Sequence, residues 1–407
     1  MQTLFPSTLN ERFTHKANLK STRFGWLRLT PAYSVHLVSD LADSAFSRVL
    51  DPFCGTGTTA LVCAEKGIAA DTTDINPFLV WLAEVKTRSY GEENVREFIA
   101  LADATIDRVQ KENFEAWLPP IHDILKWWDK PVLEALGKVM AAIHELEATS
   151  SKAAVDLLKI TFCRTMIDFA HVSFGHQSMS FKRRNDDHPL LLDVDDKLAA
   201  KWRAHSREIF LAAQSTVLVE PRVLSIDARH LSEFLPEDHY DAVITSPPYP
   251  NRMSYIRELR PYMYWLNYLR DGKEAGALDW KAIGGTWGSA TSNVAKWSNP
   301  GTEIPFKQFT KVVDGIAQKS ALLANYVHKY FVDIWTHLES LKEVLQTKAS
   351  VNYIVGNSKF YDVLLPVEQI FAAMFREIGF SSISVRAIRK RTSKKELFEF
   401  VVSGKAK

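Results

Sequence analysis

Residues 47 to 77 read SRVLDPFCGTGTTALVCAEKGIAADTTDINP, and this stretch decides the fold. An apolar strand ends at Asp51, the glycines of CGTG form a turn, a helix follows, and a second strand is expected at about residues 69 to 73. Asp74 stands at the end of that strand, 23 positions after Asp51, which is the spacing at which βαβ units meet a ribose. The stretch therefore predicts an α/β sheet with a site for a nucleoside-containing cofactor.

The composition gives the chain almost no net charge. Hydrophobic residues make up 46% and charged residues 24% of the 407 residues, and the formal net charge is +2, so a surface that binds nucleic acid must be local. The three cysteines are too few and too scattered for a disulfide framework, which is typical of a reducing compartment. The sequence shows no signal-type start and no apolar run that would span a bilayer. We expect a cytoplasmic protein with no role in a membrane.

Metal binding is not expected from the pattern of histidines and cysteines. His171 and His176 have a separation that some zinc sites use, but no cysteine pair precedes them, and Cys163 stands alone upstream. Isolated histidines are more often structural or exposed to solvent. The sequence therefore predicts no metal site.

Two kinds of pattern alternate along the chain. Residues 89–220 carry long polar–apolar helical stretches and few strand signals, whereas strands return from residue 221 onward and the chain ends in a predicted hairpin. We therefore predict one α/β domain built from residues 1–88 and 221–407, with a mainly helical domain inserted at residues 89–220. Residues 270–301 are rich in Gly, Ser, Asn and Trp and are expected to be irregular.

The stretch DAVITSPPY, residues 241–249, predicts a strand that stops abruptly. Its β-branched residues favour an extended backbone, and the two prolines end the strand because they lack amide protons. Proline also fixes its own φ and restricts the preceding residue, so Ser246 and Tyr249 project from a stiff backbone. A rigid hydroxyl beside an aromatic face suits a planar ligand.

Together these two motifs resemble a known family. DPFCGTGTT resembles the cofactor loop of S-adenosylmethionine-dependent nucleic-acid methyltransferases, and TSPPY resembles their catalytic loop. The glycine loop lacks the Gly-Lys-Ser/Thr ending of a phosphate site, and the Asp51 carboxylate would repel a phosphate but suits a cofactor that carries an ammonium and a sulfonium. The resemblance implies a Rossmann-like class I methyltransferase sheet, with S-adenosylmethionine as the cofactor.

The resemblance also implies which residues hold this cofactor. Asp51 and the turn from Gly55 to Gly57 would line the methionine part, Asp74 would hold the ribose hydroxyls, and Asp227 would meet the adenine amino group. The full expected set is Thr30, Asp51, Pro52, Phe53, Gly55, Thr56, Gly57, Thr58, Asp74, Asn76 and Asp227.

The expected catalytic residues are those of the second motif, Ser246, Pro247, Pro248 and Tyr249. An exocyclic amine is a poor nucleophile because its lone pair is delocalised into the ring, and acceptors that hold both amino hydrogens favour the pyramidal nitrogen that attacks a methyl group. Ser246 Oγ and the Pro247 carbonyl are the expected acceptors, and Tyr249 is expected to stack on a base that has left the duplex. Methylation at cytosine C5 is excluded, because no cysteine lies in a Pro-Cys loop.

The identity of the target base follows only from the resemblance. The serine of TSPPY resembles the form typical of cytosine-N4 enzymes, so a site-specific DNA cytosine-N4 methyltransferase is the leading prediction. The cofactor loop precedes the catalytic loop, whereas many cytosine-N4 enzymes have the reverse order, which keeps adenine-N6 methylation open. An RNA amino-methyltransferase and a non-catalytic nucleic-acid-binding subunit are further alternatives. Such proteins commonly belong to restriction-modification systems, and a partner endonuclease would be a separate chain.

Double-stranded DNA is the expected partner, and basic residues on protruding segments are its expected contacts. Arg252 and Arg257 follow the catalytic motif and alternate with aromatic residues. Residues 89–220 are a candidate DNA-recognition region because a basic cluster lies near their end. This cluster and one residue of the final hairpin complete the expected DNA contacts, which are Lys182, Arg183, Arg184 and Lys394.

Overall fold

A seven-stranded sheet forms the centre of the computed structural model, which describes residues 11–14, 18, 22–27, 33–112, 114–173, 180–181, 194–391 and 396–407. The strands of this sheet and of two small two-stranded sheets are β1 (Arg48–Asp51), β2 (Ala69–Thr73), β3 (Val172–Ser173), β4 (Ser180–Phe181), β5 (Arg222–Leu224), β6 (Tyr240–Thr245), β7 (Leu345–Gly356), β8 (Ser358–Phe360), β9 (Val363–Leu365), β10 (Ser381–Lys390) and β11 (Phe398–Lys405).

The α-helices of the described residues connect and cover these strands. They are α1 (Val35–Leu41), α2 (Thr58–Lys66), α3 (Pro77–Thr87), α4 (Glu92–Lys111), α5 (Lys130–Leu146), α6 (Lys152–Asp168), α7 (Val194–Ala213), α8 (Leu231–Phe234), α9 (Tyr255–Trp265), α10 (Gly272–Lys281), α11 (Ser289–Lys296), α12 (Phe309–Ala317), α13 (Ala321–Val344) and α14 (Val367–Glu377). None of these described helices is both long enough and apolar enough to cross a membrane.

The large sheet is mostly parallel, with the strand order β10-β11-β7-β6-β1-β2-β5. Five of its seven strands, β1, β2, β5, β6 and β7, run parallel. The C-terminal hairpin adds β11 and β10, each antiparallel to its neighbour. From β1 the chain proceeds outward through β2 and β5 and then returns to β6 on the other side of β1. The gap between β1 and β6 is therefore the topological switch point, where α/β sheets bind their ligands. The predicted α/β Rossmann-like sheet is confirmed.

Apolar clusters on both faces explain why the central strands are so hydrophobic. In β6, Val243 belongs to one cluster, whereas Ala242 and Ile244 belong to the other. In β1, Leu50 belongs to the same cluster as Val243, and Val49 belongs to the same cluster as Ala242 and Ile244. Successive side chains of a strand point to opposite faces, so a strand covered on both sides is a continuous apolar run.

Helices α4, α5, α6 and α7 occupy the region predicted to be helical. Their buried residues form one hydrophobic cluster that also contains residues of α3 and α9. Phe78 of α3 and Tyr262 of α9 stack within this cluster, with ring centroids 5.5 Å apart. The helical region therefore packs directly on the two helices that follow the two motifs, and its assignment as a separate domain stays a prediction.

The prediction of an irregular segment at residues 270–301 is wrong, because α10 and α11 lie within it. Asp271 caps α10: one carboxylate oxygen accepts the backbone N–H groups of Lys273 and Glu274, each at 2.8 Å. An aspartate at this position satisfies amide groups that would otherwise lack a partner at the helix start. The glycines and serines of the segment favour a loop, but at the start of α10 the Asp271 cap outweighs their low helix propensity.

Arg23 ties the two ends of the helical region together from the N-terminal segment. The residue is fully buried. Its guanidinium donates to the carbonyls of Lys86 and Arg88, at 3.1 and 2.6 Å, before the helical region. It also donates to the carbonyls of Ala213 and Ser215, at 2.6 and 2.8 Å, near the end of that region. The fork of arginine donors satisfies several buried carbonyls at once.

We expect Arg23→Met to lower the free energy of unfolding by about 3 kcal/mol or more, because it leaves several buried carbonyls without a donor. Urea denaturation at pH 7 measures this loss. Arg96→Met is the matched control, since Arg96 is an exposed arginine with one ion pair to Glu92 and should cost less than about 1 kcal/mol. Equal losses for the two variants would contradict the role of Arg23.

Candidate active site

A cavity of about 190 Å³ opens at the switch point, where β1, β2, β5 and β6 end. Segments that follow these four strands line it, and the C-terminal hairpin closes one side. Both predicted motifs therefore face the same space. The predicted cofactor and catalytic residues that line it are Pro52, Phe53, Gly55, Thr56, Asp74, Asn76, Asp227, Ser246, Pro247, Pro248 and Tyr249.

The other predicted site residues lie elsewhere. Asp51, Gly57 and Thr58 do not appear among the described residues that line the cavity. Arg252 and Arg257 line a second cavity beside the first. The remaining predicted contacts lie outside the described residues and stay predictions: Thr30, Lys182, Arg183, Arg184 and Lys394.

Asp51 lies behind the cavity wall and connects the two motifs. Its side chain is buried, and Oδ1 accepts hydrogen bonds from the Thr245 hydroxyl at 2.6 Å and the Phe53 backbone N–H at 3.1 Å. Its Oδ2 accepts from the Tyr33 hydroxyl at 2.9 Å. Burial raises the pKa of Asp51, and these hydrogen bonds oppose the rise. The carboxylate thereby holds the start of the cofactor loop, the last residue before Ser246 and the tyrosine that covers them.

The cofactor loop is fixed by its close approach to α3. Gly57 has φ 73°, and a Cβ there would lie 3.1 Å from the Cβ of Ala83, so a glycine is required for both conformation and space. The ammonium of Lys86 donates to the Thr56 carbonyl at 3.0 Å. Burial lowers the pKa of Lys86 to about 8. Glycine geometry and a buried lysine therefore shape this loop.

Two carboxylates face the cavity from neighbouring strand ends. Asp74 accepts the backbone N–H groups of Gly55 at 3.0 Å and Asn76 at 2.9 Å, and burial raises its pKa to about 6. Asp227 follows β5, accepts from the Arg229 guanidinium at 2.6 and 3.0 Å, and lines the same cavity. The β2 and β5 ends thus present one unpaired carboxylate and one that is paired with an arginine.

The second motif forms a rigid lip on the opposite side. The Ser246 hydroxyl donates to the Ile354 carbonyl of β7 at 3.1 Å, so its lone pairs remain available as acceptors. The Pro248 carbonyl accepts from the Tyr330 hydroxyl at 2.8 Å. No described residue donates to the Pro247 carbonyl, which lies between these two anchored positions. The strand end and a tyrosine of α13 therefore hold the lip from both sides.

Tyr249 is held by charged residues of the C-terminal hairpin. Its hydroxyl donates to Glu399 at 2.9 Å, and Glu399 accepts from the Arg389 guanidinium at 2.7 Å. The Arg391 guanidinium lies over the Tyr249 ring, 5.0 Å from its centroid. A Cβ at Gly356 would lie 2.9 Å from the ring, so this position must be a glycine. The hairpin therefore fixes the plane of the Tyr249 ring.

Residues outside the predicted cofactor and catalytic set also line this cavity, among them Tyr33, Arg389, Arg391 and Glu399. Arg389 and Glu399 are opposite each other across the hairpin, and such a charge pair in a predicted hairpin is a readable signal. What the sequence does not show is that this hairpin ends beside TSPPY, since Tyr249 and Glu399 are 150 positions apart.

The described residues offer no metal centre. Among them, no group of three or more His, Cys, Asp or Glu side chains is arranged to hold an ion. Cys54, Cys63 and Cys163 are buried and free. Burial raises the pKa of all three thiols, so none has the character of a nucleophile at neutral pH.

Comparison with known proteins agrees with this arrangement. The chain is 23% identical to Type II methyltransferase M.AvaI of Nostoc sp., over 60% of this chain and 53% of the relative. It is 22% identical to M.BsoBI of Geobacillus stearothermophilus, over 94% of this chain and 84% of that relative. M.MvaI of Kocuria varians shows 21% identity over 81% and 74% of the two chains. The chain is related to Type II methyltransferases.

The chain spans about half the length of M.AvaI, and no protein-family model matches it. A solved rRNA methyltransferase, aviRa from Streptomyces viridochromogenes, aligns over 92% of this chain and 86% of its own, with 12% identity and a TM-score of 0.27.

We expect Glu399→Gln to lower the free energy of unfolding by about 3 kcal/mol, because it leaves the Arg389 guanidinium buried without its counter-charge. The side chains of the pair are only 17% and 7% exposed. Urea denaturation gives the loss, and adding Arg389→Met should recover part of it, with a coupling free energy above about 1 kcal/mol.

Glu396→Gln is the matched control on the same hairpin. Glu396 pairs with Lys359, but its side chain is 56% exposed, so its loss should cost less than about 1 kcal/mol. A strictly additive result for Glu399 and Arg389 would show that the pair does not stabilise the wall behind Tyr249.

Proposed function

We propose that this protein is a site-specific DNA methyltransferase of the restriction-modification type, which transfers a methyl group from S-adenosylmethionine to an exocyclic amine of a flipped base. One observation carries the proposal: a single cavity is lined by Asp74 and Asp227 with the cofactor loop, and by Ser246 to Tyr249 facing them. The Type II methyltransferase relatives support it. A binding protein without catalysis has no need for both motifs at one cavity.

The cofactor side of the cavity fits S-adenosylmethionine by the chemistry of its walls. Phe53, Leu79 and Ile226 provide apolar contact for an adenine ring, and the carboxylates of Asp74 and Asp227 provide acceptors for hydroxyl and amino groups. Asp51 lies just behind and adds negative charge that favours a cationic ligand over a phosphate. When bound, S-adenosylmethionine supplies an electrophilic methyl group.

The catalytic side acts by holding the amine. Ser246 Oγ, whose proton is directed to Ile354, and the Pro247 carbonyl accept the two amino hydrogens of the base. Acceptors fixed in advance favour the pyramidal nitrogen without reorganisation during the reaction. Tyr249 lies at the cavity wall, where a planar base can stack on its ring. The residues thus contribute alignment and electrostatics, and no covalent enzyme intermediate is needed.

We infer N4 of cytosine as the target amine, because the motif is led by serine. N6 of adenine is the second candidate, and the order of the two motifs in the chain keeps it open. The clamp serves either amine, since both bases place an amino group beside a ring nitrogen. Double-stranded DNA is the proposed substrate, and a partner endonuclease would be a separate chain.

Ser246→Ala should lower kcat by about 100-fold or more, because it removes one preorganised acceptor, and should leave affinity for S-adenosylmethionine unchanged. Labelled cofactor, mixed-sequence duplex DNA and mass spectrometry of the digested product measure this. Ser403→Ala is the matched control, since Ser403 donates to Asn352 on the sheet and lies outside the cavity.

The methylated nucleoside decides between the candidates. N4-methylcytosine from the wild type and not from Ser246→Ala supports the proposal in full. N6-methyladenine would retain the clamp and overturn the choice of base. Bound cofactor without any methylated DNA would overturn DNA as the substrate, and methylated RNA under the same conditions would replace it.

Affinity for S-adenosylmethionine should fall about tenfold between pH 7 and pH 5, because protonation of Asp74 removes an acceptor for the ribose. Burial raises the pKa of Asp74 to about 6, so the carboxylate is ionised above that pH and protonated below it. Isothermal calorimetry across this range measures the effect. Asp74→Asn should bind weakly at both pH values.

Asp241→Asn is the control for this pH dependence. Asp241 also accepts two backbone N–H groups, those of Ser47 and Arg48, but lies away from the cavity. This variant should retain the wild-type profile. A wild-type affinity that stays constant between pH 5 and 7 would contradict the assignment of the ribose contact to Asp74.

A further inference from the structure

A second cavity, of about 180 Å³, lies across the loop that follows the catalytic motif. Asn251, Met253 and Tyr255 line the first cavity, whereas Arg252 and Ser254 line the second. Alternate side chains of one short segment therefore face two separate spaces. The segment is a thin wall that the two cavities share. A polymeric ligand that leaves the first cavity therefore passes directly beside the second.

The chemistry of the second cavity is cationic and rich in hydroxyl groups. Arg252 and Arg257 line it together with the side chains of Thr286, Thr291 and Tyr326. Within the described part of the chain, neither arginine has an ion pair or an acceptor for its guanidinium. By contrast, the guanidinium of Arg389 in the first cavity is paired with a carboxylate. The Thr286 and Thr291 hydroxyls donate to backbone carbonyls, so the two unpaired arginines are the groups that suit an anion.

The backbone of Arg252 is held in an unusual conformation that directs its side chain to this cavity. Its φ is 64°, in the left-handed region that non-glycine residues rarely adopt. Its backbone N–H donates to the Tyr326 hydroxyl at 3.2 Å, and its carbonyl accepts from the Thr286 hydroxyl at 3.5 Å. Such strain persists where surrounding contacts impose it and is common at functional sites.

Neighbouring groups contribute charge of both signs near the second cavity. The α9 helix begins beside the cavity, with Ser254 as its cap, and its N-terminal end carries a partial positive charge. One buried carboxylate lies close by: Asp279 accepts from the Ser254 hydroxyl at 2.5 Å and from the Trp287 backbone N–H at 2.6 Å. Both Asp279 oxygens are used, and Asp279 is not among the residues that line the cavity.

We propose that the second cavity binds a DNA phosphodiester next to the flipped nucleotide. The inference rests on the proposed function, because it takes the first cavity to hold the base. A base that enters the first cavity keeps its sugar and phosphates at the mouth, beside the shared wall. Arginine contacts to these phosphates fix the position of the nucleotide and carry no sequence information. The second cavity is thus a positioning site for the extruded strand.

The test is the salt dependence of DNA binding. Fluorescence anisotropy with a mixed-sequence duplex between 50 and 200 mM NaCl gives the slope of log affinity against log salt, which falls by about 0.9 for each phosphate contact that is lost. Arg252→Gln and Arg257→Gln should each reduce the slope by about that amount. Arg252→Lys and Arg257→Lys keep the charge and should retain most of it. Thermal unfolding verifies that each variant is folded.

Arg376→Gln is the matched control, because it removes an exposed charge of α14, a helix with no described residue in either cavity. Slopes of Arg252→Gln and Arg257→Gln equal to that of the control would overturn the inference. If the wild type still methylates DNA in that case, the proposed function stands and only the phosphate site fails. If the wild type binds no cofactor and methylates nothing, the proposed function fails as well.

A second measurement locates the phosphate. In a duplex whose methylated base has been mapped, each phosphate near that base is replaced in turn by a neutral methylphosphonate. The wild type should lose affinity when a phosphate adjacent to the target is neutral, and the double variant Arg252→Gln/Arg257→Gln should lose nothing further at that position. A uniform loss along the duplex in both proteins would overturn the adjacent location.

Discussion

The site depends on the hydrogen bonds that the buried carboxylate of Asp51 accepts. It lies at the end of β1, at the switch point, and accepts hydrogen bonds from Thr245 at the end of β6, from the cofactor loop at Phe53 and from Tyr33. A buried charge is costly unless its acceptors are satisfied. Three donors from three segments satisfy this one, so the strand ends cannot separate without exposing an unpaired charge. The two loops that define the cavity are thereby kept in register.

Charge is distributed unequally on the two sides of the loop that follows Tyr249. On the cofactor side, the carboxylates of Asp51, Asp74 and Asp227 gather at three strand ends, which suits a cationic ligand. On the far side, Arg252 and Arg257 line a cavity without a paired carboxylate among the described residues. For the proposed function, this places the site for a cationic cofactor and the site for an anionic backbone on opposite sides of one short loop.

The sequence carries those parts of the site that are local. Short-range patterns predict the strand, the glycine turn and the two aspartates, Asp51 and Asp74, at the strand ends. The two prolines predict the rigid lip at Ser246. Contacts between distant segments are not in any such pattern: Tyr249 meets Glu399 across 150 positions, and Arg23 meets the ends of the helical region. Asp51 shows the same limit. The sequence predicts it at the cofactor site, but its oxygens accept hydrogen bonds from Tyr33, Phe53 and Thr245 behind the cavity wall. Helix α10 is not evident from the sequence because the cap at Asp271 outweighs the local composition.

The helices α4 to α7 are mechanically connected to both motifs. They share a core with α3, which begins directly after Asn76 of the cavity wall, and with α9, which begins at the wall between the two cavities. The stacked rings of Phe78 and Tyr262 join α3 to α9 inside that core. Close-packed interiors transmit displacement because they contain few voids that could absorb it. A displacement of these helices is therefore transmitted to α3 and α9, and the Arg23 hydrogen bonds at both ends of the helical region resist it.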